Sequence, residues 1–229
     1  LTPLGIRVYV ETDSFCNPAL LAGLRACGLD AAKAALTLPP PKHPWDVWLK
    51  LDWRSFVPHA GLTHLIALER AGPSYDGPCY NMRGSDISAQ MSPAHLVFEE
   101  ARRPPQLTTI GIGDGGNEIG MGKIPRDVIA RNVPNGGLIA CRVPTDHLIV
   151  AGVSNWGAYA LAAGVLLLRG AKPDPSLFDE ERERELLRIM VEKGPLVDGV
   201  TGRPTVSVDG LPFEEYAKPL LRLRDLIGW

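Results

Sequence analysis

Apolar and polar positions fall in blocks along the chain. Ile6 to Val10 is a short β-branched run that stops at Glu11-Thr12-Asp13, and it predicts a strand. Asn17-Pro18 supplies a helix cap and a proline at the first helical position, which predicts a helix to about Ala26 with Gly28 as its stop. The prolines of Leu38-Pro39-Pro40-Pro41 predict a loop over 37–46. Thr63–Leu68 and Leu107–Ile112 have the continuous apolar character of buried strands. Between them lie a polar, glycine-rich stretch from Glu69 to Asp86 and a helix over 93–102 that Pro104-Pro105 ends. A helix near 125–132, strands at Leu138–Val143 and His147–Ala151, and a small-residue helix capped by Ser154 and running to about Leu168 follow. Asp179 to Lys193 reads as a charged, solvated helix with Leu186, Leu187, Met190 and Val191 as its packed side. Val208 to Pro212 is a turn before a terminal amphipathic helix.

Apolar strands separated by helices predict an α/β fold, with a mostly parallel sheet, helices on both faces and an active site at the carboxyl ends of the strands. At 229 residues the expectation is a single α/β domain over 1–229. The chain opens Leu1-Thr2-Pro3-Leu4-Gly5, without methionine and almost directly in a strand, so loss of an upstream segment is expected.

Composition narrows the function classes. A net charge of −2 offers no basic footprint for nucleic acid or an anionic membrane surface. The longest apolar run, Ala158 to Leu168, is too short for a bilayer span of roughly 20 residues. Cys16, Cys27, Cys79 and Cys141 share no metal-binding spacing, and reduced thiols fit a cytoplasmic or organelle-matrix protein. No HExxH, no GxSxG elbow and no nucleophilic cysteine context occurs, so a covalent triad has no support.

The chemistry concentrates at Gly111-Ile112-Gly113-Asp114-Gly115-Gly116-Asn117-Glu118, directly after a predicted strand. The letters match GxGxxG, yet Asp114 would repel a pyrophosphate, so no nucleotide cofactor is expected. A carboxylate there suits a metal ion, a substrate ammonium or proton transfer. Asp114 and Glu118 are four apart, so a helix starting at once places them on one face. Two carboxylates on one site need a cation or a shared proton, which implies a divalent metal with oxygen ligands or one raised pKa. Upstream, Glu69-Arg70-Ala71-Gly72 closes the strand from Thr63, which predicts Glu69 and Asp114 at one sheet edge. Downstream, Gly152-Val153-Ser154-Asn155-Trp156-Gly157 offers helix-start amides to a substrate carboxylate.

Ala67-Leu68-Glu69-Arg70-Ala71-Gly72, Tyr80-Asn81, Gly111 to Lys123, Ala151 to Gly157 and Val208 to Phe213 together resemble the D-glutamate cyclase family, over about residues 60–215. The resemblance implies a lyase that converts D-glutamate to 5-oxo-D-proline and water, cytoplasmic in microbes and mitochondrial in some animals. It implies catalytic roles for Glu69, Asp114 and Glu118, with manganese or magnesium at Asp114 and Glu118. The substrate contacts it implies fall on Arg70, Tyr80, Asn81, Arg83, Asn117, Ser154 and Asn155. The partner is a small amino acid, with no nucleic acid or membrane partner; oligomeric state is not set by the sequence. Members of the family carry a further ETDGPPG-like block before the strand equivalent to Ile6–Val10. Glu11-Thr12-Asp13-Ser14 follows a different strand and lacks the glycine and prolines, so the chain is either a fragment or completes its site differently.

Two rivals remain at this level. GDGGNE approaches the GDGxND of haloacid-dehalogenase-like phosphohydrolases, although glutamate stands at position 11 where their aspartyl nucleophile belongs. The other rival is a non-catalytic small-ligand module.

Overall fold

A computed structural model describes residues 4–103, 106–171 and 177–228; the expected helix end at Pro104-Pro105 and the opening Leu1–Pro3 lie outside them. The chain divides into two compact units, Leu1–Leu38 with Ala158–Trp229, and Pro39–Gly157. Its regular elements are helices, two parallel sheets and one antiparallel hairpin, a mixed α/β fold.

In the first unit, β1 (Val10–Thr12) pairs in parallel with β2 (Ala35–Thr37), Val10 lying opposite Ala35. The strand starts at Val10, later than the Ile6–Val10 run suggested, because only residues facing a partner gain ladder hydrogen bonds. α1 (Asn17–Ala26) begins with Cys16 as its cap residue, so Asn17 is already helical and the proline is what organises the start. Gly28 closes α1 at φ +70°, the left-handed stop that the sequence predicted. α2 (Ala31–Ala34) leads into β2.

α1 packs on α9 (Glu180–Lys193), where bare Gly23 faces the Met190 sulfur. Asp179 caps α9 by accepting from the Arg182 amide, and Glu180, Glu181 and Glu183 fill its first turn, favourable to the helix dipole. The expectation of a merely solvated charged helix is incomplete. Glu183 is buried, its two oxygens accepting from the Tyr159 hydroxyl at 2.5 Å and the Tyr216 hydroxyl at 2.7 Å. Asp198 is the other organiser of this unit. It accepts from the amides of Val200, Thr201 and Gly210 and from Ser207 Oγ. Those donors outweigh its burial and bring its carboxyl down to about 2. The predicted turn is a hairpin of β6 (Ser207–Val208) and β7 (Leu211–Pro212), with Asp209 and Gly210 both at positive φ, and α10 (Phe213–Leu226) follows. Phe213, Tyr216, Ala217 and Leu220 form its buried helical stripe.

The second unit opens with a helical stretch absent from the sequence reading: α3 (Trp45–Trp48), a π-helical turn over Leu49–Trp53, and α4 (Arg54–Ala60). Trp45, Leu49, Trp53 and Val57 recur every fourth residue and are all buried, which is why this segment is helical. The sheet is β3 (His64–Leu68), β4 (Thr108–Gly113) and β5 (His147–Val150), parallel, with β4 central. Register runs Leu68 to Ile112 and Ile112 to Ile149. α5 (His95–Glu100) and α6 (Arg126–Asn132) lie on the connections. The strand expected at Leu138–Val143 does not exist. α7 (Gly136–Ile139) takes its first residues, and Cys141 makes a single bridge to Ser74. A short apolar run carries no period, and the left-handed Asn135 ahead of two glycines starts a helical turn there.

Candidate active site

Because β3 and β4 are parallel, Glu69 and Asp114, each the residue after its strand, leave the sheet at the same edge. Glu69 donates its amide to the Ile112 carbonyl at 3.0 Å, the last rung of the parallel ladder. The chain then reverses its pairing: Ile119 N–H donates to Arg70 O at 2.8 Å, and Gly72 N–H to Asn117 O at 2.9 Å. Glu69 is the pivot between the two pairings and sits at φ +51°, a left-handed conformation unusual for a residue with a side chain. Such conformations cost of order 1–3 kcal/mol and gather at functional sites.

After β4 no helix begins, so the expected helical juxtaposition of Asp114 and Glu118 is not how they meet. Residues 114–117 make a tight loop, and Glu118 turns back into it. Its Oε1 accepts from the amides of Asp114 at 2.9 Å and Gly115 at 2.6 Å, and its Oε2 from Gly116 at 2.7 Å. In a phosphate-binding loop such amides would hold a ligand anion; here the protein's own carboxylate fills the nest. Gly113 permits this, because a Cβ there would lie 2.9 Å from the Glu118 carboxyl carbon and 2.8 Å from Met121 Cε. Gly111 and Gly120 meet face to face beneath the loop, a Cβ on either coming within 2.8 Å of the other's Cα. Glu118 is only 2% exposed. Burial raises its pKa, the Asp114 and Gly115 amides pull it down, and the Asp114 charge adds to the rise; the net shift is upward.

Asp114 is half-buried, and its Oδ2 accepts from both the amide of Ser154, at 2.9 Å, and its hydroxyl, at 3.1 Å. Ser154 is the first residue of α8 (Ser154–Leu168), so the cap expected from Ser154 comes from Asp114. One oxygen from each of Glu69, Asp114 and Glu118 lies within 4.8 Å of the others. Three carboxylates this close repel unless a cation or a proton sits among them. An all-oxygen donor set suits a hard divalent ion such as manganese or magnesium, or an ammonium group.

Most of the other expected substrate contacts are occupied within the protein. Arg70 donates to the Ser92 carbonyl at 2.6 Å, and Asn81 Oδ1 accepts from the amides of Arg83 and Ser85 to hold a turn. Tyr80 donates its hydroxyl to Asp76 at 2.7 Å, and Asn117 donates to the Tyr80 carbonyl at 2.8 Å. The Ser154 amide, expected to meet a substrate carboxylate, donates to Asp114 Oδ2. Arg83 is exposed, and Asn155 is half-buried in the first turn of α8. Met82, not singled out by sequence, packs on Gly115, its sulfur 2.6 Å from where a Cβ would stand. Only a bare glycine in the loop hints at that contact.

A family model described as D-glutamate cyclase-like, C-terminal, matches residues 1–224, wider than the 60–215 over which the motifs lie, and the chain belongs to that family. Human "D-glutamate cyclase, mitochondrial" is 35% identical in an alignment of 184 residues that covers 71% of this chain and 30% of the human protein. The chain therefore spans less than a third of that relative's length. Among the described residues no helix is long and apolar enough to cross a membrane.

Proposed function

We propose that the protein carrying this chain is a lyase that cyclises D-glutamate to 5-oxo-D-proline. The observation that carries this is the trio Glu69, Asp114 and Glu118 at the carboxyl edge of a parallel sheet, in a chain of the D-glutamate cyclase-like family. In the reaction the amine nitrogen bonds to the γ-carboxyl carbon and one carbon–oxygen bond breaks. The ammonium gives up two protons, and both leave with a carboxylate oxygen as water.

The chain's own groups divide this work. Glu69 is the exposed member and accepts and returns the protons. Glu118, locked by three amides, shapes the loop and adds negative charge that draws the ammonium in. Asp114, fixed by Ser154, orients the amine or a metal ion. Arg83 follows Met82, which packs on Gly115 of the loop, and is assigned to the α-carboxylate. Where a divalent ion binds, Glu69, Asp114 and Glu118 would hold it, and it would polarise the γ-carboxyl group.

The test pairs turnover with thermal melting. D-glutamate should give lactam, Glu69→Gln should lower kcat by at least about 100-fold, and L-glutamate should react poorly. Manganese should raise the melting temperature of the wild type and not of Asp114→Asn. Hydrolysis of phosphate esters without lactam formation would move the assignment to a phosphohydrolase.

A further inference from the structure

We infer that Ser154 is a positioning residue that acts through Asp114 and does not touch substrate; this rests on the cyclase proposed above. Ser154 is 1% exposed, so a small molecule cannot reach it, and both its donors converge on one atom, Asp114 Oδ2. The donors are themselves held by packing. Val153 is buried beside it, and Gly157 one turn on lies tight against the sheet, where a Cβ would come 2.8 Å from Ile112 Cγ2 and 3.1 Å from Ile149 Cγ2. The Ala151 amide continues the ladder onto the Gly113 carbonyl at 3.2 Å. The start of α8 is thus pinned to β4 and β5, and it presents two donors at a fixed place beside the residue that follows β4.

The consequence is a restraint on Asp114. A carboxylate with one oxygen held by two donors cannot rotate freely, so Asp114 is kept in one orientation within the group it forms with Glu69 and Glu118. Holding a reactive group within a fraction of an ångström of its working place requires this kind of support from behind. Ser154→Ala removes the hydroxyl donor and keeps the amide donor and the helix start. It leaves Asp114 present, charged and less well aimed.

The experiment is a double-mutant cycle on the full-length protein with D-glutamate: wild type, Ser154→Ala, Asp114→Asn and the double variant, each also melted thermally. Ser154→Ala should lower kcat roughly 10- to 100-fold, as expected for one hydrogen bond to a charged group. KM should stay within about twofold, since the loss is of alignment and not of substrate contact. On the Asp114→Asn background the same change should cost nothing further, because the group it aims is gone. A loss that multiplies on that background, or a raised KM with unchanged kcat, would overturn the positioning role. A Ser154→Ala protein without a cooperative melt would mark Ser154 as structural and overturn it too. A wild type that forms no lactam overturns the cyclase itself, and the positioning role falls with it.

Discussion

Replacing Glu118 by alanine should empty the amide nest and destabilise the protein more than loss of a surface acid. The carboxylate satisfies three amides, of which those of Gly115 and Gly116 belong to buried residues. Leaving two buried donors without a partner costs about 1–3 kcal/mol each. Removing a buried charge whose pKa is already raised returns part of that. The net cost is on the order of 2–5 kcal/mol, or a fall in Tm of about 5–15 °C for a chain of this size. Glu118→Gln should fall between, because its carbonyl oxygen keeps some amides while its NH2 group faces another donor. Formate, a free carboxylate, should enter the emptied nest and restore part of the Tm of Glu118→Ala in a concentration-dependent way. Differential scanning calorimetry with and without formate reads all of this. A Glu118→Ala protein that melts within about 2 °C of wild type would show that the glutamate does not organise the loop.

Three further outcomes follow from the same structure. Glu69→Gly should be at least as stable as wild type, since glycine accepts φ +51° without strain, yet inactive; a Glu69→Gly protein that melts no higher than Glu69→Ala, which keeps the Cβ, would refute the strained pivot. Glu11, on β1, has its carboxyl raised by burial from 4.5 to about 7. The folded state therefore holds that proton more tightly, and stability is lost as pH rises from 4.5 to about 7. Glu11→Gln should flatten the urea-unfolding profile in that window, and an unchanged slope would contradict the assignment. Glu183→Ala should cost about 3 kcal/mol or more by stranding the Tyr159 and Tyr216 hydroxyls, whereas Glu181→Ala on the same helix should cost under about 0.5 kcal/mol; equal denaturant midpoints would refute the buried role of Glu183.

What was legible in the sequence followed from local chemistry. Strands β3, β4 and β5 were readable as apolar runs, and their parallel course placed Glu69 and Asp114 at one edge before any coordinates. The convergence of Asp114 with Glu118 was anticipated by spacing, but through a helix that is not there. The loop closes because Gly113 has no side chain and Glu118 supplies the anion for its own loop's amides, a local contact that periodicity does not encode. Ser154 reads as its own helix cap for a different reason: its partner is 40 residues away in the chain. The Trp45–Ala60 helices are less legible because prolines precede them and the buried set Trp45, Leu49, Trp53 and Val57 is spaced by four, through a π-helical turn, instead of by 3.6. The backbone contacts of Arg70 and Asn81, to the Ser92 carbonyl and the Arg83 amide, are not legible in sequence, because no local pattern marks them.

The most direct test of the central claim is chiral chromatography of D-glutamate incubated with the full-length protein, with and without manganese. 5-Oxo-D-proline should appear, should be nearly absent from L-glutamate, and should be lost in Glu69→Gln while that variant still melts cooperatively. Unchanged D-glutamate with the folded wild-type protein, or lactam formed equally by wild type and Glu69→Gln, would contradict a cyclase built on this acidic sheet edge.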